Sequence, residues 1–232
     1  MRRVGHKGAD LIEPGNTLAS FDAALAHGVD MIELDVLPER GGGGRLVLAH
    51  DYEDAAERAV LTLEDGLAHL ASDAYADVDF IVDLKLPGYE SRVVEALEAS
   101  GLADRAIVST THRESLDALR PHHGSVRVGW SVPKARRDYL KSRLLVVPAL
   151  AVLRVMRRRL PGQAAAALSA GLCHAVMAHW RLVTPALVEG VRDAGGDLYV
   201  WTVDHAPRIQ ELRLLGVTGV ITNDPRLFAA LP

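Results

Sequence analysis

The sequence has 232 residues, with 26 Lys plus Arg against 30 Asp plus Glu and a formal net charge of −4. Its 49% hydrophobic and 24% charged residues exclude a disordered or fibrous chain and predict a folded domain with a substantial core. The single cysteine, Cys173, excludes an internal disulfide framework and a cysteine-rich zinc site. A reducing, cytoplasmic location is therefore the expectation.

Two further sequence features bear on location. Residues 1–6 lead into a polar stretch without the apolar region that a secretory signal requires. The longest apolar run, 144–153, contains Pro148 and is much shorter than the about 20 residues that a membrane-spanning helix needs. We therefore expect a chain without a signal peptide or a membrane span.

Short β-branched runs alternate with helical patterns along the chain, a rhythm typical of βα units around a parallel sheet. The predicted strands cover residues 3–5, 31–36, 46–49, 80–85, 106–109, 126–131, 175–177, 198–202 and 219–222. The predicted helices cover 17–27, behind a cap at Asn16, and 90–100, 113–119, 185–194 and 208–215.

The connection at 37–45 is too short and too rich in glycine for a helical crossover. We therefore predict an antiparallel β-hairpin at about 36–50, with residues 41–44 at its tip. Eight parallel strands remain when the return strand is set aside. They predict one α/β domain over residues 1–232, a (β/α)8 TIM barrel with the hairpin projecting near the active-site mouth.

Carboxylates recur on one face of two predicted strands. Glu33 and Asp35 are two residues apart and share a face, whereas Ile32 and Leu34 point to the other. Asp83 repeats this pattern on the fourth strand. If the apolar faces meet the helices, the three acids point into the barrel, where oxygen ligands favour a hard divalent ion, Mg²⁺ or Ca²⁺. The alternative is a set of solvated or salt-bridged acids.

Two histidines lie at the ends of predicted strands, His6 after the first and His50 after the third. Active groups of parallel barrels lie at these strand ends, so the pair is predicted to transfer protons next to the three acids. Trp201, also at a strand end, is either a wall for the substrate or part of the aromatic packing.

The order and spacing of several short motifs resemble the glycerophosphodiester phosphodiesterase family. The motifs are residues 6–8 (HKG), 14–18 (PGNTL), 32–36 (IELDV), 50–51 (HD), 83–85 (DLK), 201–204 (WTVD) and 219–225 (GVITNDP). The resemblance spans residues 4–225 and implies a metal-dependent barrel enzyme that hydrolyses glycerophosphodiesters to glycerol 3-phosphate and an alcohol. It leaves open whether water or the glycerol hydroxyl of the substrate attacks the phosphorus.

By this resemblance His6 and His50 match the general acid/base pair, and the metal ligands match Glu33, Asp35 and Asp83. The cations Lys7 and Lys85 are expected to neutralise the phosphodiester.

The sequence departs from the family pattern at three positions. Lys7 replaces the usual arginine, so a point charge stands where a bidentate fork is expected. Asp83 replaces the usual glutamate. Gly15 replaces the usual motif glutamate, and neighbouring Glu13 is a possible substitute for it. These departures keep open a third alternative, a catalytically weak phosphodiester-binding barrel.

Residues 134–159 carry nine basic residues and one acid, Asp138, beside the apolar run 144–153. This segment predicts either a solvated helix face or a surface that contacts anionic lipid, with lysophospholipids as substrates in a lysophospholipase D-type reaction. Nucleic acid is not an expected partner, because the net charge is negative and Tyr139 is the segment's one aromatic residue.

Overall fold

The computed structural model describes residues 1–40, 44–133 and 146–229. Its strands are β1 (Arg2–Gly5), β2 (Met31–Pro38), β3 (Leu46–Leu48), β4 (Asp79–Leu84), β5 (Ala106–Thr110), β6 (Arg127–Val132), β7 (Ala175–His179), β8 (Asp197–Trp201) and β9 (Gly219–Thr222). Its α-helices are α1 (Leu18–Ala26), α2 (Asp54–Glu57), α3 (Leu63–Leu70), α4 (Glu90–Ala99), α5 (Arg113–Leu119), α6 (Val146–Ser169), α7 (Pro185–Asp193) and α8 (Ala206–Leu215).

Eight of the strands close into a parallel barrel. The neighbours follow the order β1, β2, β4, β5, β6, β7, β8, β9, and β9 pairs with β1 to complete the ring. The predicted (β/α)8 barrel is confirmed, since each parallel pair needs a crossover and the crossovers pack outside the ring.

The ninth strand, β3, pairs antiparallel with β2, with Val36 opposite Leu48 and Pro38 opposite Leu46. This pairing returns the chain from the C-terminal end of β2 toward Asp35, so that His50 follows close to the barrel opening. Residues 41–43, in the predicted hairpin tip, lie outside the described part of the chain.

The alternation of side chains along the strands separates an outer core from the barrel interior. Ile32, Leu34 and Val36 belong to the main apolar core between the sheet and the helices. The inward residues one layer below the site form a second apolar cluster, which includes Met31, Ile81, Ile107, Val4, Ala175, Met177, Tyr199 and Ile221. Because side chains repeat every two residues, this cluster forms the floor beneath Glu33, Asp83 and Ser109.

The start of α1 differs from the prediction. Thr17 is the N-cap, because its side chain accepts a hydrogen bond from the backbone N–H of Ser20 at 3.2 Å. Asn16 has a φ of 58°, a left-handed conformation that asparagine tolerates, and its side chain points away from the helix toward Asp35. The expected cap at Asn16 is therefore wrong by one residue.

Helix α6 has no predicted counterpart with defined bounds, since Pro148 and Pro161 interrupt its sequence pattern. Leu160, Ala164, Ala167 and Leu168 on its second half are buried against the barrel. Residues 134–145 of the predicted basic segment lie outside the described chain. Within the described ranges, none of the helices combines the length and apolar composition needed to cross a bilayer.

Candidate active site

A cavity of about 470 Å³ opens at the C-terminal ends of the barrel strands. This is the end at which TIM barrels place their active groups, because the loops after all eight strands meet there. The predicted site residues lining the cavity are His6, Glu33, His50, Asp83, Lys85 and Trp201.

Three carboxylates cluster at the polar side of the cavity. Single oxygen atoms of Glu33, Asp35 and Asp83 all lie within 4.8 Å of one another. The register of the sheet causes this proximity, since Asp35 lies directly opposite Asp83 on the paired strands β2 and β4. The structure therefore brings together the three acids that the strand alternation predicts to be inward.

Lys85 supplies a positive charge to this cluster. Its Nζ lies 2.5 Å from Oδ1 of Asp35 and 2.7 Å from Oδ2 of Asp83. Burial alone would lower the pKa of Lys85, but the carboxylates of Asp35, Asp83 and Glu33 raise it well above its ordinary value. The ammonium group is therefore charged throughout the ordinary pH range.

The pKa values of the two carboxylates on β2 are shifted in opposite directions. Burial and the neighbouring Asp35 raise the pKa of Glu33 well above its ordinary value. Burial also acts to raise the pKa of Asp35, but Lys85 and His50 outweigh it and hold the pKa well below the ordinary value. The surroundings thus favour the neutral form of Glu33 and the ionised form of Asp35.

Asp35 makes three contacts with Asn16 and His50. Oδ2 accepts a hydrogen bond from Nδ2 of Asn16 at 3.2 Å and lies 3.1 Å from Nδ1 of His50. The backbone N–H of Asp35 donates to Oδ1 of Asn16 at 3.0 Å. Asn16 was expected to cap a helix, but the contacts make it a support for the carboxylate.

His6 and His50 flank the carboxylate cluster. Nε2 of His6 lies 3.8 Å from Oε2 of Glu33, and its Nδ1 lies 2.5 Å from Oδ1 of Asn223. Burial lowers the pKa of His6 despite the opposing charge of Asp35. The side chain of His50 is 53% exposed and reaches the cluster from the segment after β3. Both imidazoles can therefore exchange protons with a molecule in the cavity.

Lys7 is placed differently from the other predicted site residues. Its backbone N–H donates to Oε2 of Glu33 at 2.9 Å, whereas its ammonium group forms an ion pair with Asp10 at 2.6 Å. It is not among the residues that line the cavity. The phosphate contact expected of its side chain remains a prediction.

The carboxylate in contact with Gly15 belongs to Asp10. Oδ1 of Asp10 accepts a hydrogen bond from the backbone N–H of Gly15 at 2.9 Å. A Cβ atom on Gly15 would lie 2.4 Å from this oxygen and 2.8 Å from Cβ of Lys7, so no larger residue fits without a shift. Glu13 is exposed. The sequence prediction did not include Asp10, because its contacts with Gly15 and Lys7 depend on the turn between them.

Trp201 borders the apolar side of the cavity. Its Nε1 donates to the backbone oxygen of Met177 at 3.0 Å, and its ring meets His179 edge to face at 5.1 Å. The side chain therefore takes part in aromatic packing and also faces the cavity, and its predicted role as a wall for the substrate stays a prediction.

The sequence prediction also missed Ser109 and Asn223. Ser109, opposite Asp83 on β5, donates its hydroxyl to Oδ1 of Asp83 at 2.6 Å. Asn223 contacts His6 across 217 positions of chain. The spacing of Ser109 on its strand and the position of Asn223 in the 219–225 motif are the signals that could have identified them.

The donor set fits a hard divalent cation. Carboxylate oxygen atoms are the ligands that Mg²⁺ and Ca²⁺ prefer, and no thiolate is present in the cluster. Among the described atoms, Oδ1 of Asp35 is in contact with Lys85 but makes no hydrogen bond of ordinary geometry. With Glu33, Asp35 and Asp83 ionised and Lys85 protonated, the cluster carries a charge of −2, which one divalent cation would neutralise.

Known proteins with related sequences or structures agree with one another in what they are named. The glycerophosphodiester phosphodiesterase of Caldanaerobacter subterraneus subsp. tengcongensis is 25% identical over 254 residues, covering 96% of this chain and 93% of that protein. The glycerophosphodiester phosphodiesterase structure from Agrobacterium tumefaciens str. C58 superposes with a TM-score of 0.69 at 19% identity, covering 100% of both chains. An Oleispira antarctica phosphodiesterase, solved in complex with sn-glycerol-3-phosphate, has a TM-score of 0.72 at 18% identity, covering 99% of this chain and 96% of that one.

These structural likenesses establish the shared barrel. The sequence model of the glycerophosphoryl diester phosphodiesterase family matches residues 6–59 and 52–227, which include every predicted site residue. Because the match extends over most of the sequence, this chain belongs to the glycerophosphoryl diester phosphodiesterase family.

Proposed function

We propose that the protein hydrolyses glycerophosphodiesters to glycerol 3-phosphate and an alcohol. The observation that carries the proposal is one cavity lined by two histidines, two carboxylates and a lysine that contacts the third carboxylate, the buried Asp35. Family membership supports it, as do the name of the Caldanaerobacter relative and the product bound to the Oleispira neighbour.

In this proposal His6 and His50 are the general acid/base pair. One imidazole accepts the proton of the attacking oxygen as that oxygen forms its bond to phosphorus. The other donates a proton to the leaving alcohol oxygen as its bond to phosphorus breaks. The positions of His6 and His50 on two sides of the carboxylate cluster support these separate acid and base roles.

Glu33, Asp35 and Asp83 are the proposed ligands of one Mg²⁺ or Ca²⁺ ion. When bound, the cation would supply Lewis-acid stabilisation for the charge of the phosphodiester. Asn16 and Ser109 hold two of the ligating carboxylates by hydrogen bonds and so orient them. The shorter Asp83 is aligned for this role by its register opposite Asp35.

Lys85 and Trp201 are the proposed substrate-binding side chains, together with Lys7. Lys85 lines the cavity and keeps its charge, which favours an anionic substrate. Trp201 presents an apolar surface to the glycerol or the alcohol group. Lys7 could contribute from the rim if a substrate competes with Asp10 for its ammonium group.

An assay panel tests this function. Glycerophosphocholine, glycerophosphoglycerol and lysophosphatidylcholine are each incubated with the protein, with Mg²⁺, with Ca²⁺ and with EDTA. Glycerol 3-phosphate is measured for the first two, and lysophosphatidic acid for lysophosphatidylcholine. We expect metal-dependent release of glycerol 3-phosphate from the two soluble diesters. Binding of these diesters without turnover under every metal condition would instead support a phosphodiester-binding barrel.

The exposed face of α6 supports a second candidate, hydrolysis of lysophospholipids at an anionic membrane. Leu150, Val152 and Val155 are 52%, 58% and 47% exposed. Arg154, Arg158 and Arg159 are exposed on the same stretch, and α6 contains no acidic residue. Exposed apolar side chains beside arginines fit the interface of an anionic bilayer.

A matched pair of variants tests this candidate. The triple variant Arg154→Gln, Arg158→Gln, Arg159→Gln removes three positive charges from α6, whereas Arg192→Gln and Arg213→Gln remove charges from α7 and α8. If α6 contacts lipid, the first variant binds phosphatidylserine vesicles more weakly and loses lysophosphatidylcholine turnover but keeps glycerophosphocholine turnover. Equal effects on both substrates, or no vesicle binding by the wild type at low salt, would support the solvated helix face.

A further inference from the structure

Hydrogen bonds connect His6 to three residues that have no role in the proposed mechanism: Thr222, Asn223 and Asp204. β1 and β9 pair, so the backbone N–H of His6 donates to the backbone oxygen of Thr222 at 2.8 Å. This pairing places His6 beside Asn223. Val203 donates its backbone N–H to Ile221 at 3.0 Å, which brings Asp204, after β8, to the same place.

Asp204 accepts three hydrogen bonds from neighbouring groups. Its Oδ1 accepts from the hydroxyl of Thr222 at 3.0 Å and from the backbone N–H of Asn223 at 2.8 Å. Its Oδ2 accepts from the side-chain Nδ2 of Asn223 at 2.7 Å. Three donors therefore hold this carboxylate although the residue itself is exposed.

The chemistry of these contacts fixes the orientation of the Asn223 amide. An ionised carboxylate accepts hydrogen bonds and donates none, so the NH₂ group of Asn223 must face Asp204. The amide oxygen then faces His6, where Oδ1 lies 2.5 Å from Nδ1 of the imidazole. Because an amide oxygen is an acceptor, Nδ1 of His6 must carry a proton.

We infer that Asp204 and Asn223 are positioning residues that fix His6 in the Nδ1–H tautomer and leave the Nε2 lone pair of the neutral ring for proton transfer. The inference rests on the proposed function, because it concerns how His6 is prepared for that reaction. Nε2 is the ring nitrogen nearer to the carboxylate cluster, at 3.8 Å from Oε2 of Glu33. A reversed tautomer would present an N–H there and would remove the acceptor.

The substitution Asp204→Asn tests these hydrogen bonds, because asparagine has nearly the same size and shape as aspartate. The hydroxyl of Thr222 and the backbone N–H of Asn223 still need an acceptor, so the oxygen of the new amide occupies the position of Oδ1. The NH₂ group of the new amide then occupies the position of Oδ2. Asn223 must then turn its oxygen toward residue 204 and its NH₂ toward His6. This reversal predicts a proton on Nε2 instead of Nδ1.

The double substitution Asp204→Asn and Asn223→Asp restores the original polarity. The carboxylate at position 223 accepts from the new amide and from Nδ1–H of His6 at once. Asn223→Asp alone places two carboxylates against each other and provides no such restoration. Asp193→Asn, on an exposed position of α7, is the matched control.

The experiment measures kcat and KM for glycerophosphocholine with Mg²⁺ and, in the same proteins, the ¹⁵N chemical shifts of the His6 ring, assigned with a His6→Gln variant. Asp204→Asn is expected to lower kcat by about 10-fold with little change in KM, and to convert the His6 signals to the Nε2–H pattern. The double variant is expected to recover both properties.

Wild-type kcat and an Nδ1–H ring in Asp204→Asn would overturn the inference, and so would a loss of kcat without a change of tautomer. If the wild type releases no glycerol 3-phosphate at all, the proposed function fails. The ¹⁵N shifts then still decide whether Asp204 and Asn223 set the tautomer of His6.

Discussion

At the scale of single residues, the electrostatics of the cavity are set by a cluster of carboxylates with few positive charges beside it. Asp35 is fully buried, and its charge is balanced by Lys85, His50 and the amide of Asn16. Glu33 is 5% exposed, and burial together with the charge of Asp35 raises its pKa despite the hydrogen bond from the backbone of Lys7. The cluster is therefore arranged to accept one more cation.

The two histidines give the first prediction. His6→Ala and His50→Ala should each lower kcat for glycerophosphocholine by about 10² to 10⁴, the range for loss of a general acid or base. Substrate affinity should change much less, because neither ring supplies the main positive charge of the cavity. Steady-state kinetics measures both quantities. The exposed His205→Ala is the control, and near-wild-type kcat in both test variants would contradict the assignment.

Lys85 gives the second prediction. Lys85→Met keeps the length of the side chain but leaves Asp35 and Asp83 without their buried counter-charge. We expect a loss of about 3 to 5 kcal/mol in the free energy of unfolding without metal, as for other buried ion pairs that lose one partner. Urea denaturation measures this loss.

Added Mg²⁺ should recover part of the stability of Lys85→Met, because the cation takes over the role of counter-charge. The control is Arg45→Gln, whose ion pair with Glu39 lies at the surface with 68% of the arginine side chain exposed. Its effect should be much smaller than that of Lys85→Met, because solvent screens an ion pair at the surface. Equal losses in the two variants would show that Lys85 does not stabilise the carboxylates.

At the scale of elements, much of the site could be predicted because strands impose a simple geometry. The alternation in β2 is sufficient to place Glu33 and Asp35 inside, and the strand ends are sufficient to place His6 near the opening. Asn16 and Asn223 could not be assigned in this way. The contacts of Asn16 depend on a left-handed turn, and those of Asn223 on closure of the first strand against the last. Strand alternation encodes neither, although the 219–225 motif marks the position of Asn223.

The pairing of β1 with β2 gives the third prediction. Asp30, just before β2, accepts hydrogen bonds from the backbone N–H and the guanidinium of Arg3 at 2.7 Å each. Burial acts to raise the pKa of Asp30, but Arg3 outweighs it and lowers the pKa below the ordinary 3.8. Because the folded state favours the ionised form, this contribution is fully present above pH 3.8 and is lost as the pH falls through the lower folded pKa.

Asp30→Asn should therefore lower the free energy of unfolding by up to about 1 kcal/mol at pH 7, after allowance for solvent screening of the partly exposed pair. The difference from the wild type should shrink as the pH falls below 3.8. Denaturant titrations at several pH values measure it. Asp193→Asn, whose partner Arg192 is 71% exposed, should show no such pH dependence. A deficit that persists unchanged at low pH would contradict the electrostatic origin.

At the scale of the whole molecule, the proposed metal site forms together with the paired strands of the barrel. Glu33 and Asp35 come from β2 and Asp83 from β4, and the register of these strands brings the three acids together. Lys85 follows β4 and His6 follows β1, so formation of the site requires the same strand pairing as formation of the fold. An ion that binds this cluster therefore binds the folded state in preference to the unfolded chain.

This linkage gives the fourth prediction, that Mg²⁺ or Ca²⁺ raises the Tm of the protein and that EDTA reverses the rise. At a metal concentration 100 times the Kd, the stabilisation should be about 2.7 kcal/mol. Glu33→Gln should show a smaller rise, because the amide lacks the charge that the cation neutralises, and it should lose diester turnover together with the metal response. Asp193→Asn should respond as the wild type does. An equal rise of Tm in Glu33→Gln would mean that the stabilising ion binds elsewhere on the protein.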